Sequence, residues 1–377
     1  MQKGKIVIVV SLDLKRAFET ISRELLLKKM SRYGVNGVEL KWFKSYLQDR
    51  MQSVKIEEHM SNWQEVVNGT SQGSVLAPLL FILYMNDINK ILKFAKIKLF
   101  ADDALLYIEC NNLNEGTSNM NLDLKNVYLW FCANKLAVNV KKSNYMIISR
   151  KRNINMENCK ICLGNDYVER ASVIKYLGVM IDEKLNMQEN LKYIERKLYK
   201  KLALFRRLGD KLNCQTKIVL YKSIVAPHFD YCSSVLFILP DSSIQALQIM
   251  QNKFMRNILK MKKDTSKIIL LKMLCFLSIR QRLAFNILKL FFKIENGLMP
   301  EYLRKFMTKV SNKNSYSLRR KSLFNVPNFT KTYTQEDIFF KGLKLYNEFR
   351  NKVDAKSLNI LNIKKIALQY VLNNVKQ

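Results

Sequence analysis

Two adjacent carboxylates, Asp102 and Asp103, interrupt the apolar-rich segment 97–108. Apolar runs on either side of a short polar step predict two strands joined by a tight turn, with the acids at its tip. Asp13 follows another apolar run, 6–12, and would reach the same place if these strands are neighbours in one sheet. Three converging carboxylates could hold two Mg²⁺ ions for in-line phosphoryl or nucleotidyl transfer.

A simpler interpretation exists for the acid pair. Aspartate is a common turn residue, so adjacent acids in a hairpin are usually only solvated. Clustering three like charges is costly, however, and is tolerated mainly where a metal ion neutralises them. The choice between the two interpretations depends on the segments around the pair.

The length and composition indicate a basic globular protein of two or three domains. The chain has 377 residues, of which 48% are apolar and 25% charged, an ordinary globular balance. Its 64 bases and 31 acids give a formal net charge of +33, which would concentrate polyanions. Nucleic acid is the first expectation, although a ribosomal or membrane-surface protein could share this composition.

The cysteines and histidines restrict the chemistry. Seven irregularly spaced cysteines do not form a disulfide framework and fit a reducing compartment. Cys159 and Cys162 have zinc-knuckle spacing, but no second pair completes it, and the turn signal at Gly164 favours strand cysteines. With His59 and His228 the only histidines, a histidine nucleophile, dyad or triad is not expected.

We expect an intracellular protein, in the nucleus or cytoplasm, without a membrane partner. No signal peptide is visible, because the apolar run 6–10 is too short for one. The longest apolar run, 75–85, is too short to span a bilayer and contains Pro78.

The chain has two regions of different character. Short β-rich runs alternate with helical segments up to about Asp182, and helical periodicity takes over from Glu183. Pro227 is expected to kink or end the helix that contains it. The expected elements are a strand at 6–12, helices at 22–34 and 39–47, a hairpin of 52–56 and 63–67, a helix at 74–92, the acid hairpin, a helix at 113–135, strands at 145–149 and 173–181, and helices at 187–208, 215–231, 242–262, 279–296 and 338–350.

An ordered series of motifs resembles the reverse transcriptases of non-long-terminal-repeat retrotransposons, most like the jockey group of LINE-type elements. The resemblance is strong over 5–182 and looser beyond, at 226–231 (APHFDY) and 247–253 (LQIMQNK). The main motifs are 11–19 (SLDLKRAFE), 69–81 (GTSQGSVLAPLLF), 100–103 (FADD), 139–143 (NVKKS) and 176–179 (YLGV).

The resemblance implies a catalytic role for four residues. Asp13, Asp102 and Asp103 would hold two Mg²⁺ ions, or Mn²⁺ in their place. Lys142 would be the general acid that protonates the pyrophosphate leaving group, although a lysine beside other bases is more often a solvated charge.

The resemblance also implies contacts to the nucleotide and the primer. Phe18 would be a steric gate, because a flat side chain beneath the sugar leaves no room for a ribose 2′-hydroxyl. Taken alone, Phe18 could be a core aromatic, Gly73 part of an ordinary loop and Gly178 a bulge in a strand. The nucleotide contacts would be Leu14, Ala17, Phe18, Gln72 and Gly73, and the primer grip would be a hairpin with Tyr176, Leu177 and Gly178.

The implied fold is α+β, a right-hand polymerase with an antiparallel palm sheet and helices. The palm would occupy 1–182, an all-helical thumb 183–300, and a helical extension of unknown role 301–377. The implied partners are an RNA template, a DNA primer and deoxynucleoside triphosphates.

This sequence departs from the family pattern in several places. Glu19 replaces the usual Asp, Ser71 the usual Pro and Ala77 the usual Gly, and none of these changes affects a metal ligand. The chain opens almost on the first palm motif, so we expect an N-terminal truncation that leaves the fingers largely missing and removes any endonuclease domain.

Two other functions are compatible with the same motifs. One is an inactive truncated remnant that only binds nucleic acid through its charge. The other is a reverse transcriptase relative that serves as a splicing or packaging cofactor. Intact acids at all three motif positions argue against both, although recent decay would leave them in place.

Overall fold

The computed structural model describes residues 5–71, 73–149, 159–309, 323–327, 337–353 and 358–376. The chain divides into two compact units, Met1–Leu185 and Asn186–Gln377. Within the described residues, none of the helices combines the length and apolar character needed to cross a membrane.

The first unit combines strands and helices. Short 3₁₀ turns lie at Ile88–Ile91 and Val140–Lys142. The other elements are β1 (Ile6–Leu12), β2 (Leu14–Lys15), α1 (Arg23–Arg32), α2 (Gly37–Leu47), β3 (Met51–Gln52), β4 (Lys55–Ile56), β5 (His59–Met60), β6 (Gln64–Glu65), α3 (Ala77–Met85), β7 (Lys96–Phe100), β8 (Asp103–Cys110), α4 (Leu113–Ala133), β9 (Ala137–Val138), β10 (Asn144–Ile148), β11 (Cys162–Leu163), β12 (Asp166–Tyr167), β13 (Glu169–Arg170), β14 (Val173–Tyr176) and β15 (Val179–Asp182).

A five-stranded sheet forms the centre of this unit, in the order β13-β10-β1-β8-β7. All neighbouring pairs are antiparallel except β10 and β13, which are parallel. The central strand β1 is apolar almost throughout because both of its faces are covered. Ile8 and Val10 face the large core that includes α4, whereas Val9 packs with Met146 and Ile148 on the other face.

The second unit is helical, apart from an isolated bridge between Lys309 and Phe324, in the part of the chain that the structure describes. The predicted α+β class, an antiparallel-rich sheet with helices followed by a helical region, is confirmed. The helices are α5 (Gln188–Leu208), α6 (Cys214–Leu220), α7 (Pro227–Asp230), α8 (Ser233–Phe237), α9 (Asp241–Leu259), α10 (Lys267–Leu274), α11 (Ile279–Glu295), α12 (Glu301–Arg304), α13 (Ile338–Lys352) and α14 (Ile363–Asn374).

Two predicted helices are wrong in extent. The helix expected at 74–92 begins only at Ala77, with Pro78 in its first turn, and gives way to a 3₁₀ turn after Met85. The helix expected at 215–231 is interrupted by a π-helical turn, Tyr221–Val225, just before Pro227 begins α7. Proline has no N–H to donate and disturbs the preceding turn, so the regular bonding pattern breaks there.

Three polar residues in the segment 247–253 are buried on α9, namely Gln248, Gln251 and Asn252. Gln251 Nε2 donates to the carbonyl of Leu277 at 2.9 Å and to the hydroxyl of Tyr221 at 3.2 Å. Gln248 Oε1 accepts from the backbone N–H of Ile279 at 2.8 Å. Burial raises the pKa of Tyr221 to about 12, so its hydroxyl stays protonated. These bonds fix the start of α11.

Candidate active site

The Asp102-Asp103 pair lies at the tip of the β7–β8 hairpin. Phe100 pairs with Asp103, so Ala101 and Asp102 form a two-residue loop. Ala101 has φ 50°, a left-handed conformation that costs a residue with a side chain roughly 1–2 kcal/mol. The hairpin therefore holds Asp102 at its tip, where it is exposed.

The β1–β8 pairing brings Asp13 to the same end of the sheet. Leu12 pairs with Ala104. Because the strands are antiparallel, Asp13, which follows Leu12, and Asp103, which precedes Ala104, lie at the same end of the pair. Asp13 is half-buried, whereas Asp103 is exposed. The predicted strand neighbours are therefore the observed ones.

The charges at this end of the sheet repel one another. Partial desolvation raises the pKa of Asp103, and the negative charges of Asp102 and Asp13 raise it further, while Lys175 lowers it. Burial and the charge of Asp103 also raise the pKa of Tyr176. The three acids, Lys175 and Tyr176 thus share one electrostatic environment.

Ser143 and Asn139 hold the backbone on both sides of Asp13. The Asp13 N–H donates to Ser143 Oγ at 3.2 Å, and the Asn139 N–H donates to the Asp13 carbonyl at 2.7 Å. Ser143 is fully buried, and its hydroxyl donates to the Asn139 carbonyl at 2.9 Å. Lys142 lies in the short 3₁₀ turn between these two residues with an exposed side chain.

The loop that follows Asn68 packs against the turn that contains Phe18. The N–H of Gly69 donates to the Ile21 carbonyl at 2.8 Å, and that of Thr70 donates to the Phe18 carbonyl at 3.1 Å. A Cβ on Gly69 would come within 2.9 Å of the backbone of Phe18 and Glu19. Only glycine allows this close approach.

The predicted nucleotide contacts occupy different environments. Phe18 is partly buried, and its ring centroid lies 4.7 Å from that of Phe81. Leu14 and Ala17 are buried in the same core. Gly73 is exposed and has φ 78°, so it is required for its backbone conformation rather than for space. Gln72 lies outside the described residues.

The segment predicted as the primer grip forms a hairpin, as the resemblance implies. The strand expected at 173–181 is wrong, because β14 and β15 pair with each other across Leu177 and Gly178. Both loop residues have positive φ, 46° and 79°, as a type I′ turn requires. Tyr176 is partly buried at the end of β14.

Asp123 supports the site without having been predicted. It is fully buried on α4, and its carboxylate accepts the N–H groups of Lys93, Phe94 and Ala95 at 2.6–2.9 Å. These residues lead directly into β7, so Asp123 fixes the entry of the strand that bears the acid tip. The sequence did contain a signal for this role, because Asp123 occupies a position on α4 where the helical pattern expects an apolar residue.

The donor set suits a divalent cation in its chemistry. Carboxylate oxygens are the ligands that Mg²⁺ prefers, and a bound cation would offset the repulsion that raises the pKa of Asp103. Among the residues that the structure describes, however, no group of three or more His, Cys, Asp or Glu is arranged closely enough to hold a metal ion. Metal binding by Asp13, Asp102 and Asp103 therefore stays a prediction.

Cys159 and Cys162 lie in a different part of the first unit. Cys162 is in β11, and Cys159 is buried with its sulfur 3.2 Å from the hydroxyl of Thr117. The hairpin predicted at Gly164 is confirmed, because β11 and β12 pair across it.

A palm-like sheet with acids at the ends of its central strands is the arrangement that the sequence motifs predict for a polymerase. The family model described as reverse transcriptase (RNA-dependent DNA polymerase) matches residues 1–181. Residues 1–181, almost all of the first unit, are therefore similar to the reverse transcriptase family.

Curated relatives come from non-LTR retrotransposons, as predicted. The chain is 28% identical over 255 residues to "Probable RNA-directed DNA polymerase from transposon X-element" of Drosophila melanogaster. The aligned residues make up 65% of this chain and 27% of that protein. The chain is 24% identical over 269 residues to "RNA-directed DNA polymerase from mobile element jockey" of the same species, covering 68% of this chain and 29% of that protein. The chain thus spans less than a third of the length of these relatives.

One solved structure is also similar, a telomerase from Candida albicans in complex with a fragment of telomeric RNA. The likeness covers 79% of this chain and 48% of that chain, at 13% identity and a TM-score of 0.31.

Proposed function

We propose that this chain contains the polymerase centre of an RNA-directed DNA polymerase from a non-LTR retrotransposon. It would add deoxynucleotides to the 3′-hydroxyl of a DNA primer on an RNA template. The supporting observation is the position of Asp13, Asp102 and Asp103 at one end of the sheet, inside the region that the reverse transcriptase family model matches. We expect it to act inside the cell, in the nucleus or cytoplasm.

The proposed cofactor is Mg²⁺, two ions held by Asp13, Asp102 and Asp103, with Mn²⁺ as a substitute. When bound, the ions would lower the pKa of the primer hydroxyl and stabilise the leaving pyrophosphate. The protein would position the three acids through the β7–β8 hairpin and the bonds to Asp13. Lys142 is proposed to donate a proton to the pyrophosphate, since its turn is bonded to the backbone of Asp13.

Nucleotide selection is proposed to depend on the turn around Phe18. Leu14, Ala17 and Phe18 would shape the nucleotide site together with Gln72 and Gly73. The contact between Phe18 and Phe81 supports a gate role, because it holds the ring in one place. The Tyr176–Gly178 hairpin would hold the primer end.

The proposed domain organisation is the one that the family resemblance implies. Residues 1–182 would be the palm, 183–300 a thumb that clamps the template–primer duplex, and 301–377 a helical extension. The many bases of the second region support a role in holding a polyanion.

Primer extension tests the proposal. The full chain is incubated with poly(rA)/oligo(dT), deoxythymidine triphosphate and Mg²⁺, and compared with Asp102→Asn, which keeps the shape of the side chain and removes its charge. We expect a loss of at least about 100-fold in extension rate, the usual scale for removing a group that stabilises transition-state charge. The matched control is Asp166→Asn, an exposed acid in β12 of the same unit.

The contrary outcome is equally specific. If the unmodified chain binds the template–primer in a salt-sensitive way but extends it no better than Asp102→Asn does, the chain is a nucleic-acid-binding remnant. Parallel binding measurements on all three proteins separate lost catalysis from lost binding.

A further inference from the structure

A cavity of about 640 Å³ lies in the second unit, between α7, α8, α11 and the start of α14. Its size is in the range of small-molecule sites. Part of its wall, Asp230, comes from the segment 226–231, which the proposed polymerase function leaves without a role.

The polar wall of the cavity has an excess of positive charge. Lys289 and Lys293 are one turn apart on α11, and Lys364 comes from the first turn of α14. Burial lowers the pKa of Lys289, and the charges of Lys364 and Lys293 lower it further against the opposing effect of Asp230. Lys293 and Lys364 therefore each lie close enough to Lys289 to repel its positive charge.

The acid in the wall is already neutralised. Arg282 donates to both carboxylate oxygens of Asp230 at 2.6 Å, and Asn286 Nδ2 donates to one of them at 3.0 Å. In the described part of the chain, none of Lys289, Lys293 and Lys364 forms an ion pair. Among the lining residues that the structure describes, Asp230 is the only acid, and it is paired with Arg282.

Most of the remaining lining is apolar. Phe292 and Ile363 are buried beside the cavity, Met299 is partly buried, and Leu298 and Ile360 are exposed at its edge. An apolar surface next to an uncompensated cationic one suits a ligand that has a flat, weakly polar body joined to an anionic group. A nucleotide has this construction, and the +33 charge of the chain would attract nucleic acid to it.

We propose that this cavity binds one nucleoside phosphate, either free or as one residue of a nucleic-acid strand. Its phosphate lies at Lys289, Lys293 and Lys364, and its base lies against Met299 and Leu298. The proposal does not depend on the polymerase function, because the cavity is formed entirely by the second unit.

Binding of 5′-adenosine monophosphate to the full chain tests the proposal. The measurement is isothermal titration calorimetry in EDTA, so that metal-dependent nucleotide binding at the carboxylates does not contribute. Lys293→Gln/Lys364→Gln removes two exposed charges from the cavity, and Lys262→Gln/Lys272→Gln removes two exposed charges elsewhere in the same unit. We expect the first pair to weaken binding about tenfold or more and the control pair less than about twofold.

Competition identifies the ligand class. Adenosine and inorganic phosphate should each bind at least about tenfold more weakly than the monophosphate, since each offers only half of the contacts. Displacement of the monophosphate by single-stranded oligo(rA) supports a strand residue as the ligand, and failure to displace it supports a free nucleotide.

Several results would overturn the proposal. These are absence of saturable binding, equal losses in the two lysine pairs, and equally tight binding of inorganic phosphate. Displacement by phosphatidylserine vesicles but not by oligo(rA) would assign the cavity to an anionic lipid instead.

Discussion

Two aspartates, one in each unit, have opposite electrostatic surroundings. Asp103 lies beside Asp102 and Asp13, and desolvation together with their charges raises its pKa. Although burial alone would raise the pKa of Asp230, the bonds and charge of Arg282 and the bond from Asn286 lower it on balance. In the second unit Asp230 is paired with Arg282, whereas in the first unit Asp103 is crowded by Asp102 and Asp13.

We propose that this difference separates a structural charge from a functional one. A paired carboxylate such as Asp230 contributes to the stability of the helices that hold it. Crowded acids such as Asp103 oppose folding, and titratable groups perturbed in this way are common at active sites. Removing one acid from each unit should therefore change stability in opposite directions.

The largest effect on stability is expected for Asp230→Ala. Arg282 would lose a bidentate partner while its side chain stays mostly buried, at a cost of about 2 kcal/mol. The control is Asp241→Ala, whose partner Arg280 is exposed, so the change should stay within about 0.5 kcal/mol. Hydrogen exchange of α11 amides measures both variants. Equal costs would remove the structural role given to Asp230.

A smaller effect of opposite sign is expected for Asp102→Asn. The substitution removes a repulsive charge next to Asp103, so the β7–β8 hairpin should gain about 0.5 kcal/mol of protection against hydrogen exchange. Asp166→Asn should leave that hairpin unchanged. If Asp102→Asn instead lowers the protection of the hairpin against hydrogen exchange, the acid pair stabilises the hairpin.

Acidification should also separate the two units. The folded-state pKa of Asp230 is lowered, so its stabilising contribution is present above the ordinary value of 3.8 and is lost as the pH falls through the lowered pKa. The folded-state pKa of Asp103 is raised, so its ionisation disfavours folding at neutral pH, and this penalty disappears on acidification. Hydrogen exchange between pH 6 and pH 3 should show α11 losing more protection than β8. The reverse order would contradict these assignments.

Much of the fold of the first unit could be predicted from local patterns in the sequence. The all-apolar run of β1 predicts a strand with both faces covered, and the spacing of apolar residues on α4 predicts its buried face. The tip at Asp102 could be predicted because its flanking strands are visible in the sequence. Its neighbour Asp13 could be placed there only by assuming that the strands pair.

The remaining features depend on distant partners or on backbone conformation. Asp123 bonds to N–H groups about 30 residues away, and Ser143 bonds to the N–H of Asp13 130 residues away, so neither role is visible locally. The turn at Leu177 requires positive φ in a residue that rarely adopts it, and sequence patterns therefore favour an unbroken strand. The π-helical turn before Pro227 is likewise a detail of bonding rather than of composition.

One titration tests most directly whether Asp13, Asp102 and Asp103 form a single metal-dependent site. Carbon-detected NMR of the Asp103 carboxyl group gives its pKa with Mg²⁺ and with Na⁺ at the same ionic strength. We predict that Mg²⁺ lowers this pKa, because a bound cation offsets the repulsion and competes with the proton, and that Asp13→Asn diminishes the change. A pKa for Asp103 that is the same in Mg²⁺ and in Na⁺ would contradict the proposed site.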